Sequence, residues 1–464
     1  MSSEIDIVPL GSIVSVKGGK RLPKEESLQS IPNEHPYIRV RDMGHRFIPA
    51  EGLEYVPDEV FPKIQRYIVE ENDLIISIVG TIGLVSIIDS RFHLASQTEN
   101  AAKLTGLDTV DSQYLYYFLS SHIGQTEIHK GTVGAVQPKL PLYNIEKISV
   151  LWPDKNARRE IANLLGSLDN KIQLNHQINQ TLEQMAQALF KSWFVRFEPV
   201  KAKITALEAG GSEEDALLAA MQAISGTSLF DADALAAGGE EQLTGLQAEQ
   251  PEQYAELRAT AELFPSAMQD SELGEIPEGW DFVQLKHFIT LEYGKALKKT
   301  TRVAGPYPVY GSGGVTGSHN KSMVPGPGII VGRKGTVGSI YWETNDFYPI
   351  DTTYYVLTKN GCSLSFSYYL LQTLGLKSMN TDAAVPGLNR NNVYRLAVPS
   401  YSLPIIARFT HIVDSISRKI SAANAGSQSL TELRDTLLPK LLSGELSVSG
   451  TKTQLAETSE AANV

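Results

Sequence analysis

The sequence predicts an α+β protein with two duplicated α+β domains, separated by two long antiparallel coiled-coil helices and related by an approximate twofold axis. Three observations support this fold class. An apolar run broken by a Gly-Thr-x-Gly turn occurs at 73–89 and again at 328–343. Other short phrases recur in the same order in both halves, and each half ends in apolar residues seven apart.

The duplication is clearest around the two glycine turns. The first glycine, the threonine and the second glycine lie 255 residues apart in each case: Gly80 and Gly335, Thr81 and Thr336, Gly83 and Gly338. The phrase at 6–22 also resembles that at 281–297, and 134–153 resembles 383–399. A tight hairpin that needs glycine's backbone freedom explains the turn itself. Short apolar runs between such turns predict the strands of each copy.

A heptad period of apolar residues closes each half of the chain. It runs from Ile161 to Trp193 in the first half and from Ile406 to Leu437 in the second. A sustained seam of this kind is typical of helices that supercoil on a partner helix. Asn175 occupies an apolar position of the first seam, where a polar residue can fix the register of pairing. A helix of about 40 residues is roughly 60 Å long.

Charge is unevenly distributed along the chain. The net charge is −11, but residues 198–275 alone hold 16 acidic and 3 basic residues, so the rest is slightly basic. This segment is rich in Ala, Glu, Gln and Gly, with helical runs near 212–225 and 251–263, and we expect a partly helical, partly flexible linker. The predicted segments are a first domain at 1–153, a central helix at 154–197, the acidic linker at 198–275, a second domain at 276–400, a distal helix at 401–446 and a flexible tail at 447–464.

Several classes of protein are disfavoured by what the sequence lacks. The longest apolar run, Leu74–Ile88, is interrupted and too short to cross a bilayer, and the first residues do not resemble a signal peptide. The single cysteine, Cys362, excludes an internal disulfide and a cysteine-cluster zinc site. No phosphate-binding loop, dinucleotide loop, amino-methyltransferase tetrapeptide or metal-binding histidine spacing occurs. We therefore expect a cytoplasmic protein without catalytic residues, metal or cofactor of its own.

Basic and amide side chains gather in turns of both predicted domains. Arginine can contact guanine with two hydrogen bonds, Asn or Gln can contact adenine, and Lys neutralises phosphate. A solvated loop explains any one of these residues equally well, but clusters in corresponding loops favour nucleic-acid binding. Just before the glycine turn, Ile78-Val79 of the first copy becomes Arg333-Lys334 in the second, as one frame reading two sequences would require. The candidate DNA-binding residues are Lys17, Lys20, Arg21, Arg39, Arg41, Gln137, Lys139, Lys298, Lys299, Arg302, Arg333, Lys334, Asn389 and Arg390.

Five longer phrases carry a resemblance to a known family. They are "ALFKSWFVRFEPV" at 188–200, "DSELGEIPEGWDFVQL" at 270–285, "YPVYGSGGVTGSHN" at 307–320, "PIDTTYYVL" at 349–357 and "LRDTLLPKLLSGEL" at 433–446. The chain resembles the specificity (S) subunit of a type I restriction-modification enzyme. Together with the duplication, these phrases cover essentially the whole chain. The length of the acidic segment departs from the family pattern.

The resemblance implies two target recognition domains, each binding one half of a split, asymmetric sequence in double-stranded DNA. The two helices would act as a ruler and hold two modification subunits, which use S-adenosylmethionine to methylate adenine. Two restriction subunits would add cleavage driven by ATP and Mg²⁺, so that this chain binds no cofactor. We expect exposed apolar heptad residues to bind these partners. The candidate partner-binding residues are Phe190, Trp193, Phe194, Leu437 and Leu441.

Two other functions are compatible with parts of this pattern. A self-contained DNA methyltransferase would also need built-in recognition, although the missing motifs disfavour it. Binding of S-adenosylmethionine by the chain alone would favour this enzyme. A coiled-coil scaffold that never contacts DNA would share the long helices, and salt-dependent DNA binding would exclude it.

Overall fold

The computed structural model describes residues 5–134, 136–228, 239–272, 274–379 and 387–446. The chain forms two compact units. Unit 1 comprises residues 1–176 and 424–464, and unit 2 comprises residues 177–423. The predicted flexible tail at 447–464 lies outside the described residues. The bounds of the six predicted segments stay predictions, since the two units divide the chain differently and each takes residues from both long helices.

Unit 1 is built on three small sheets. Its strands are β1 (Asp6–Pro9), β2 (Ser15–Gly18), β3 (Pro36–Ile38), β4 (Glu54–Tyr55), β5 (Leu74–Ser77), β6 (Val85–Ile87), β7 (Ser96–Gln97), β8 (Ala101–Thr105) and β9 (Ser149–Trp152). Strands β2, β8, β5 and β6 form an antiparallel sheet in that order. Strand β3 lies between antiparallel β4 and parallel β7, and β1 pairs with β9. All residues of β5 are buried, which fits the apolar Leu-Ile-Ile sequence that precedes its last residue, Ser77.

The described part of residues 5–176 also contains helices, and side-chain caps begin the first two of them. They are α1 (Thr109–Ser120), α2 (His122–Lys130), α3 (Leu142–Ile145) and α4 (Lys155–Lys191), the last of which continues into unit 2. The carboxylate of Asp108 accepts a hydrogen bond from the Asp111 amide at 3.0 Å and so caps α1. The Ser121 hydroxyl caps α2 in the same way at the Gly124 amide, 3.1 Å away. Helix α1 buries Tyr114 in the main core of unit 1.

The acidic segment forms helices in the structure. They are α5 (Glu198–Glu208), α6 (Glu213–Ser228), α7 (Gly239–Glu249) and α8 (Pro251–Glu262), so the helical runs predicted near 212–225 and 251–263 are confirmed. Ala220 and Met221 of α6 and Ala261 of α8 are fully buried in the core of unit 2. The described helices are therefore a packed part of unit 2. The most Gly- and Ala-rich stretch, at 229–238, lies outside the described residues.

Unit 2 repeats the sheet topology of unit 1. Its strands are β10 (Met268–Gln269), β11 (Ile276–Pro277), β12 (Phe282–Gln284), β13 (Ile289–Tyr293), β14 (Tyr307–Gly311), β15 (Gly314–His319), β16 (Gly328–Gly332), β17 (Ile340–Glu343), β18 (Tyr348–Pro349), β19 (Thr353–Thr358) and β20 (Ala397–Pro399). The order β13-β19-β16-β17 matches β2-β8-β5-β6, and β15-β14-β18 matches β4-β3-β7, including the one parallel pair. Strand β12 pairs with β20 as β1 does with β9. The predicted duplication is confirmed.

The two long helices pair in opposite directions in unit 1. After α9 (Leu364–Thr373) and α10 (Arg390–Tyr394), the chain ends its described part with α11 (Leu403–Leu442). In unit 1, Asp169 of α4 pairs with Arg434 of α11, and Asn175 Nδ2 donates to Ser427 Oγ at 3.1 Å. In both pairs a later residue of α4 meets an earlier residue of α11, which makes the pairing antiparallel as predicted.

The expected exposure of the candidate partner-binding residues is wrong. Phe190, Trp193 and Phe194 are no more than 1% exposed and lie in the core of unit 2, and Phe197 joins them there. The reason is a change of backbone path: α4 gives way to a π-helical turn at Ser192–Arg196, and Phe197 adopts a left-handed conformation with φ of 56°. This path turns the aromatic face inward.

Neighbouring aromatic rings then cover that face. The Trp193 ring lies 5.3 Å from Phe264, and the Phe194 ring lies 4.9 Å from Phe366, both edge to face. Leu437 and Leu441 are likewise buried, in the main core of unit 1. A role of these five residues in partner binding stays a prediction, but none of them offers an exposed apolar surface.

We predict that Trp193→Ala strongly destabilises unit 2. Truncation of a buried tryptophan costs about 3–5 kcal/mol because the surrounding core does not collapse fully into the cavity. The matched control is Val195→Ala two residues away, where the side chain is 48% exposed and the expected cost is within about 0.5 kcal/mol. Chemical denaturation followed by tyrosine and tryptophan fluorescence measures both. Equal midpoints for the two variants would contradict the burial described here.

Candidate nucleic-acid interface

The two Gly-Thr-x-Gly turns have the same backbone conformation in both units. Gly80 and Gly83 have φ of +82° and +89°, and Gly335 and Gly338 have φ of +85° and +69°. These values lie in the left-handed region that favours glycine. A Cβ on Gly338 would also lie 2.3 Å from the backbone of Leu376. The glycines therefore build the turn, and the two copies differ in the residues around it.

Main-chain hydrogen bonds define which residues correspond in the two units. The Ile78 amide donates to Asn100 O at 2.8 Å, and the Arg333 amide donates to Thr352 O at 2.9 Å. The carbonyl groups of the same two residues are also bonded. The Leu140 amide donates to Ile78 O at 3.0 Å, and the Leu388 amide donates to Arg333 O at 2.8 Å. Ile78 and Arg333 thus occupy the same position in the frame.

Further corresponding positions follow from the same bonds. The bridge from Val79 to Lys139 matches that from Lys334 to Gly387. Counting along the chain from Leu140 and Leu388, Leu142 corresponds to Arg390. Gly19 and Gly294 make equivalent bonds to Ala101 O and Thr353 O, so Gly18 corresponds to Tyr293. The pairs are Ile78 and Arg333, Val79 and Lys334, Gly18 and Tyr293, Leu142 and Arg390.

In unit 2 these positions form a compact cluster, which we call the arginine–tyrosine cluster: Tyr293, Arg333, Tyr354 and Arg390. The guanidinium carbons of Arg333 and Arg390 lie 4.8 Å and 4.9 Å from the centroid of the Tyr293 ring. Arg333 Nη1 donates to Asp351 O at 2.9 Å, and Arg390 Nη1 donates to Leu291 O at 3.2 Å. The cluster joins Tyr293 of β13 and Tyr354 of β19 to Arg333, which lies two residues before the glycine turn, and to Arg390, the first residue of α10.

The electrostatics of this cluster are those of unneutralised positive charge. Neither Arg333 nor Arg390 takes part in any ion pair among the described residues. Burial raises the pKa of Tyr354 to about 12, with a further increase from Tyr293, while the two arginines lower it by less. Tyr354 is therefore neutral at physiological pH, and Arg333 and Arg390 give the cluster its positive charge.

The other candidate residues of unit 2 divide into structural and exposed groups. Arg302 Nη1 donates to Thr316 O at 2.6 Å and Nη2 to Leu297 O at 3.3 Å, which ties the preceding loop to β15. The Asn389 side chain caps α10 by accepting from the Asn391 amide at 2.9 Å. Lys298, Lys299 and Lys334 are exposed. Asn389 and Arg302 thus have structural partners, whereas the lysines are open to solvent.

In unit 1 the candidates fall into three places. Lys17, Lys20 and Arg21 are exposed on β2 and the segment that follows it, although Arg21 Nε also donates to Glu99 at 2.6 Å. Gln137 and Lys139 are exposed on a loop closed by two bonds between Val133 and Lys139. Lys139 also pairs with Val79, so this loop lies beside the glycine turn.

Arg39 and Arg41 lie in a network of ion pairs within unit 1. Arg39 is half-buried and ion-pairs with Glu54, and Arg41 contacts Asp42 at 3.4 Å and Glu54 at 3.3 Å. Burial raises the pKa of Asp42, and the Arg41 charge lowers it by less. Asp42 and Glu54 form ion pairs with both arginines, so Arg39 and Arg41 have an evident structural role.

Sequence reasoning missed the tyrosines of the cluster. Tyr293 immediately precedes the basic phrase "GKALKK", so an aromatic residue next to basic ones was the available signal for it. Tyr354 lies within "DTTYYVL", which contains no basic residue and gave no such signal. The described residues contain no group of three or more metal-ligating side chains. None of the described helices is both long enough and apolar enough to cross a membrane.

Comparison with known proteins identifies the family. Residues 2–184 and 277–420 match the family model described as the type I restriction modification DNA specificity domain. The two matched ranges contain the strands of the first and second copies. The chain belongs to this family.

Named relatives agree with this assignment. The HindI specificity subunit of Haemophilus influenzae, a type I restriction enzyme subunit, is 33% identical over 343 residues, which cover 67% of this chain and 71% of that protein. The MjaIX specificity subunit of Methanocaldococcus jannaschii is 23% identical over 206 residues, or 42% of this chain and 45% of that protein. The crystal structure of the type I S subunit from M. genitalium shares the fold, with a TM-score of 0.50, 18% identity and coverage of 95% and 96% of the two chains.

The chain is therefore a DNA-recognition component of a type I restriction-modification system and not the catalyst. It acts on DNA together with the other subunits of such a system. This result sets aside the two alternatives, a self-contained methyltransferase and a scaffold that never contacts DNA.

We predict unequal effects of alanine at the two glycines of the second turn. Gly335→Ala should cost about 1–2 kcal/mol, since only a left-handed backbone and the movable Ser312 hydroxyl oppose it. Gly338→Ala should cost more than about 3 kcal/mol, because its Cβ meets backbone atoms of Leu376. Chemical denaturation of the purified chain measures both, and equal losses would be inconsistent with this difference in packing.

Proposed function

We propose that each unit reads one half of a split, asymmetric sequence in double-stranded DNA. The observation that carries this proposal is one backbone frame with different side chains at corresponding positions. Ile78 and Leu142 in unit 1 are apolar, whereas Arg333 and Arg390 in unit 2 are basic. Two copies with the same chemistry would favour two identical half-sites, and these two copies differ.

The two units would use different contacts. Guanidinium groups of unit 2 match the acceptors of guanine, while apolar side chains of unit 1 can contact the methyl group of thymine. Exposed cations, namely Lys17, Lys20, Lys298 and Lys299, are suited to phosphate contacts, which position the protein without reading sequence. Gln137 and Lys139 lie beside the first glycine turn and are the best-placed polar readers of unit 1.

Catalysis would reside in partner subunits. We place S-adenosylmethionine on two modification subunits that methylate adenine, and ATP and Mg²⁺ on two restriction subunits that cleave, all acting in the cytoplasm. Docking of these partners would use outward-facing residues of the helices, because the aromatic residues near 190–197 are buried. Leu174 and Ile178 of α4 and Leu403 of α11 are apolar residues that remain 41–50% exposed.

We predict that Arg333→Ala combined with Lys334→Ala changes recognition of only one half-site. Loss of a base contact costs about 1–3 kcal/mol at the position it reads, and loss of a phosphate contact weakens binding to all sequences. The measurement is a genome-wide map of methylated adenines in cells that express the variant with its partner subunits. The matched control is Arg39→Ala combined with Arg41→Ala, which removes two arginines from unit 1.

Relaxed sequence preference in one half-site, with the other half-site unchanged, is the expected result. The control should leave that half-site as it is in the wild type. Equal loss of preference in both half-sites would contradict reading of one half by each unit.

A further inference from the structure

The arginine–tyrosine cluster holds two guanidinium groups against one aromatic ring. Arg333 and Arg390 each lie within 5 Å of the Tyr293 ring centroid, so their guanidinium carbons are no more than about 10 Å apart. Each also packs within 5.8 Å of a second ring, that of Tyr354 for Arg333 and that of Tyr394 for Arg390. Tyr394 is itself held in place, since its hydroxyl accepts from the Leu291 amide at 2.8 Å.

The contacts fix both arginines and leave part of each side chain unused. One Nη1 donor of each is bonded to a main-chain oxygen, Asp351 O or Leu291 O. A guanidinium has five N–H donors, so most of them remain for a ligand. Both arginines are half-buried and Tyr293 is 44% exposed, so solvent reaches the cluster.

The guanidinium fork of arginine matches phosphate oxygens as well as base edges. Phosphate contacts carry no sequence information, and exposed lysines of unit 2 such as Lys298 and Lys299 can supply them. The planar, oriented fork of arginine matches the O6 and N7 acceptors of guanine, where two hydrogen bonds form at a set spacing. Stacking on Tyr293 lowers the conformational freedom that would otherwise be lost on binding.

The corresponding place in unit 1 has a different chemistry. Gly18, Ile78 and Leu142 stand where unit 2 has Tyr293, Arg333 and Arg390, and a Cβ on Gly18 would lie 3.6 Å from Leu142. No aromatic ring or cation is contributed by these three positions. The cluster therefore distinguishes the two copies.

We infer that Arg333 and Arg390, positioned by Tyr293, read guanine in the half-site bound by unit 2. This inference rests on the proposed function, in which each unit reads one half of a split DNA sequence. Arg333 and Arg390 contact the base edges, and Tyr293 is a positioning residue that orients both guanidinium groups. The half-site of unit 2 therefore contains at least one guanine.

The test uses the full chain assembled with its modification subunits and duplexes that carry the mapped recognition sequence. Each base pair of both half-sites is replaced in turn, and binding is measured over a series of salt concentrations. The variants are Arg333→Lys and Arg390→Lys, which keep the charge and lose the fork. Lys299→Ala is the matched control for a phosphate contact in the same unit.

Each lysine variant should lose about 5- to 100-fold of discrimination at a G·C pair of one half-site, with an unchanged salt dependence. The control should weaken binding to all duplexes and lower the slope of log affinity against log salt by about 1. Tyr293→Leu should lower the same discrimination, whereas Tyr293→Phe, which keeps the ring, should retain it. Thermal unfolding of each variant establishes that it is folded.

Two results would overturn the inference while leaving the proposed function intact. One is a half-site for unit 2 that contains no guanine. The other is full discrimination by both Arg333→Lys and Arg390→Lys, together with an Arg333→Ala variant that behaves like Lys299→Ala. That result would make the cluster a phosphate-binding site. A wild-type complex that binds all of the altered duplexes as well as the original one would instead refute the proposed function, and the inference with it.

Discussion

The candidate interface depends on the main-chain hydrogen bonds of one residue in each unit, which lies two positions before the glycine turn. In unit 1, Ile78 bonds through its amide to Asn100 and through its carbonyl to Leu140, and Arg333 makes the equivalent bonds in unit 2. A buried main-chain group left without a partner costs about 1–3 kcal/mol, so these bonds resist change. Because they involve no side-chain atoms, an isoleucine and an arginine fit the same frame. Recognition can therefore diverge while the fold is kept.

Side-chain hydrogen bonds join helix α1 of unit 1 and helix α9 of unit 2 to the long helix α4. In unit 1, the hydroxyl of Tyr117 on α1 donates to Asp169 of α4 at 2.6 Å, and Asp169 also pairs with Arg434 of α11. In unit 2, the hydroxyl of Tyr369 on α9 donates to Glu183 of α4 at 3.1 Å. Desolvation in these contacts raises the pKa of both tyrosines. The polar residues of the helix pair thus orient the recognition sheet within its own unit.

Sequence patterns predicted those features that depend on short-range chemistry. The glycine turns, the duplicated strands and the heptad seam each leave a period or a fixed spacing, and the structure confirms them. The buried position of Asn175 in the seam followed from the same heptad. Arg333 and Lys334 were found because they replace Ile78 and Val79 in an otherwise repeated phrase.

Features that depend on contacts distant in sequence were missed. Burial of Trp193 requires the left-handed backbone at Phe197 and the arrival of Phe264, neither of which a heptad pattern contains. The amide side chain of Asn389 is of a type that contacts bases, but it caps α10. Arg39 pairs with Glu54, which only the fold brings near it. Tyr293 meets Arg390 from almost a hundred residues away, so its role was not visible in the sequence.

Exchange of one copy for the other tests most directly whether each copy reads its own half-site. Strand β1 pairs with β9 and β12 pairs with β20, so each copy begins and ends at a paired strand. Residues 281–399 can therefore replace residues 6–152 at matching strand ends. We expect the methylated sites of cells that express this chimera with its partner subunits to have two identical halves, both equal to the half-site of unit 2. Methylation that keeps the two original, different halves would contradict independent reading by the two copies.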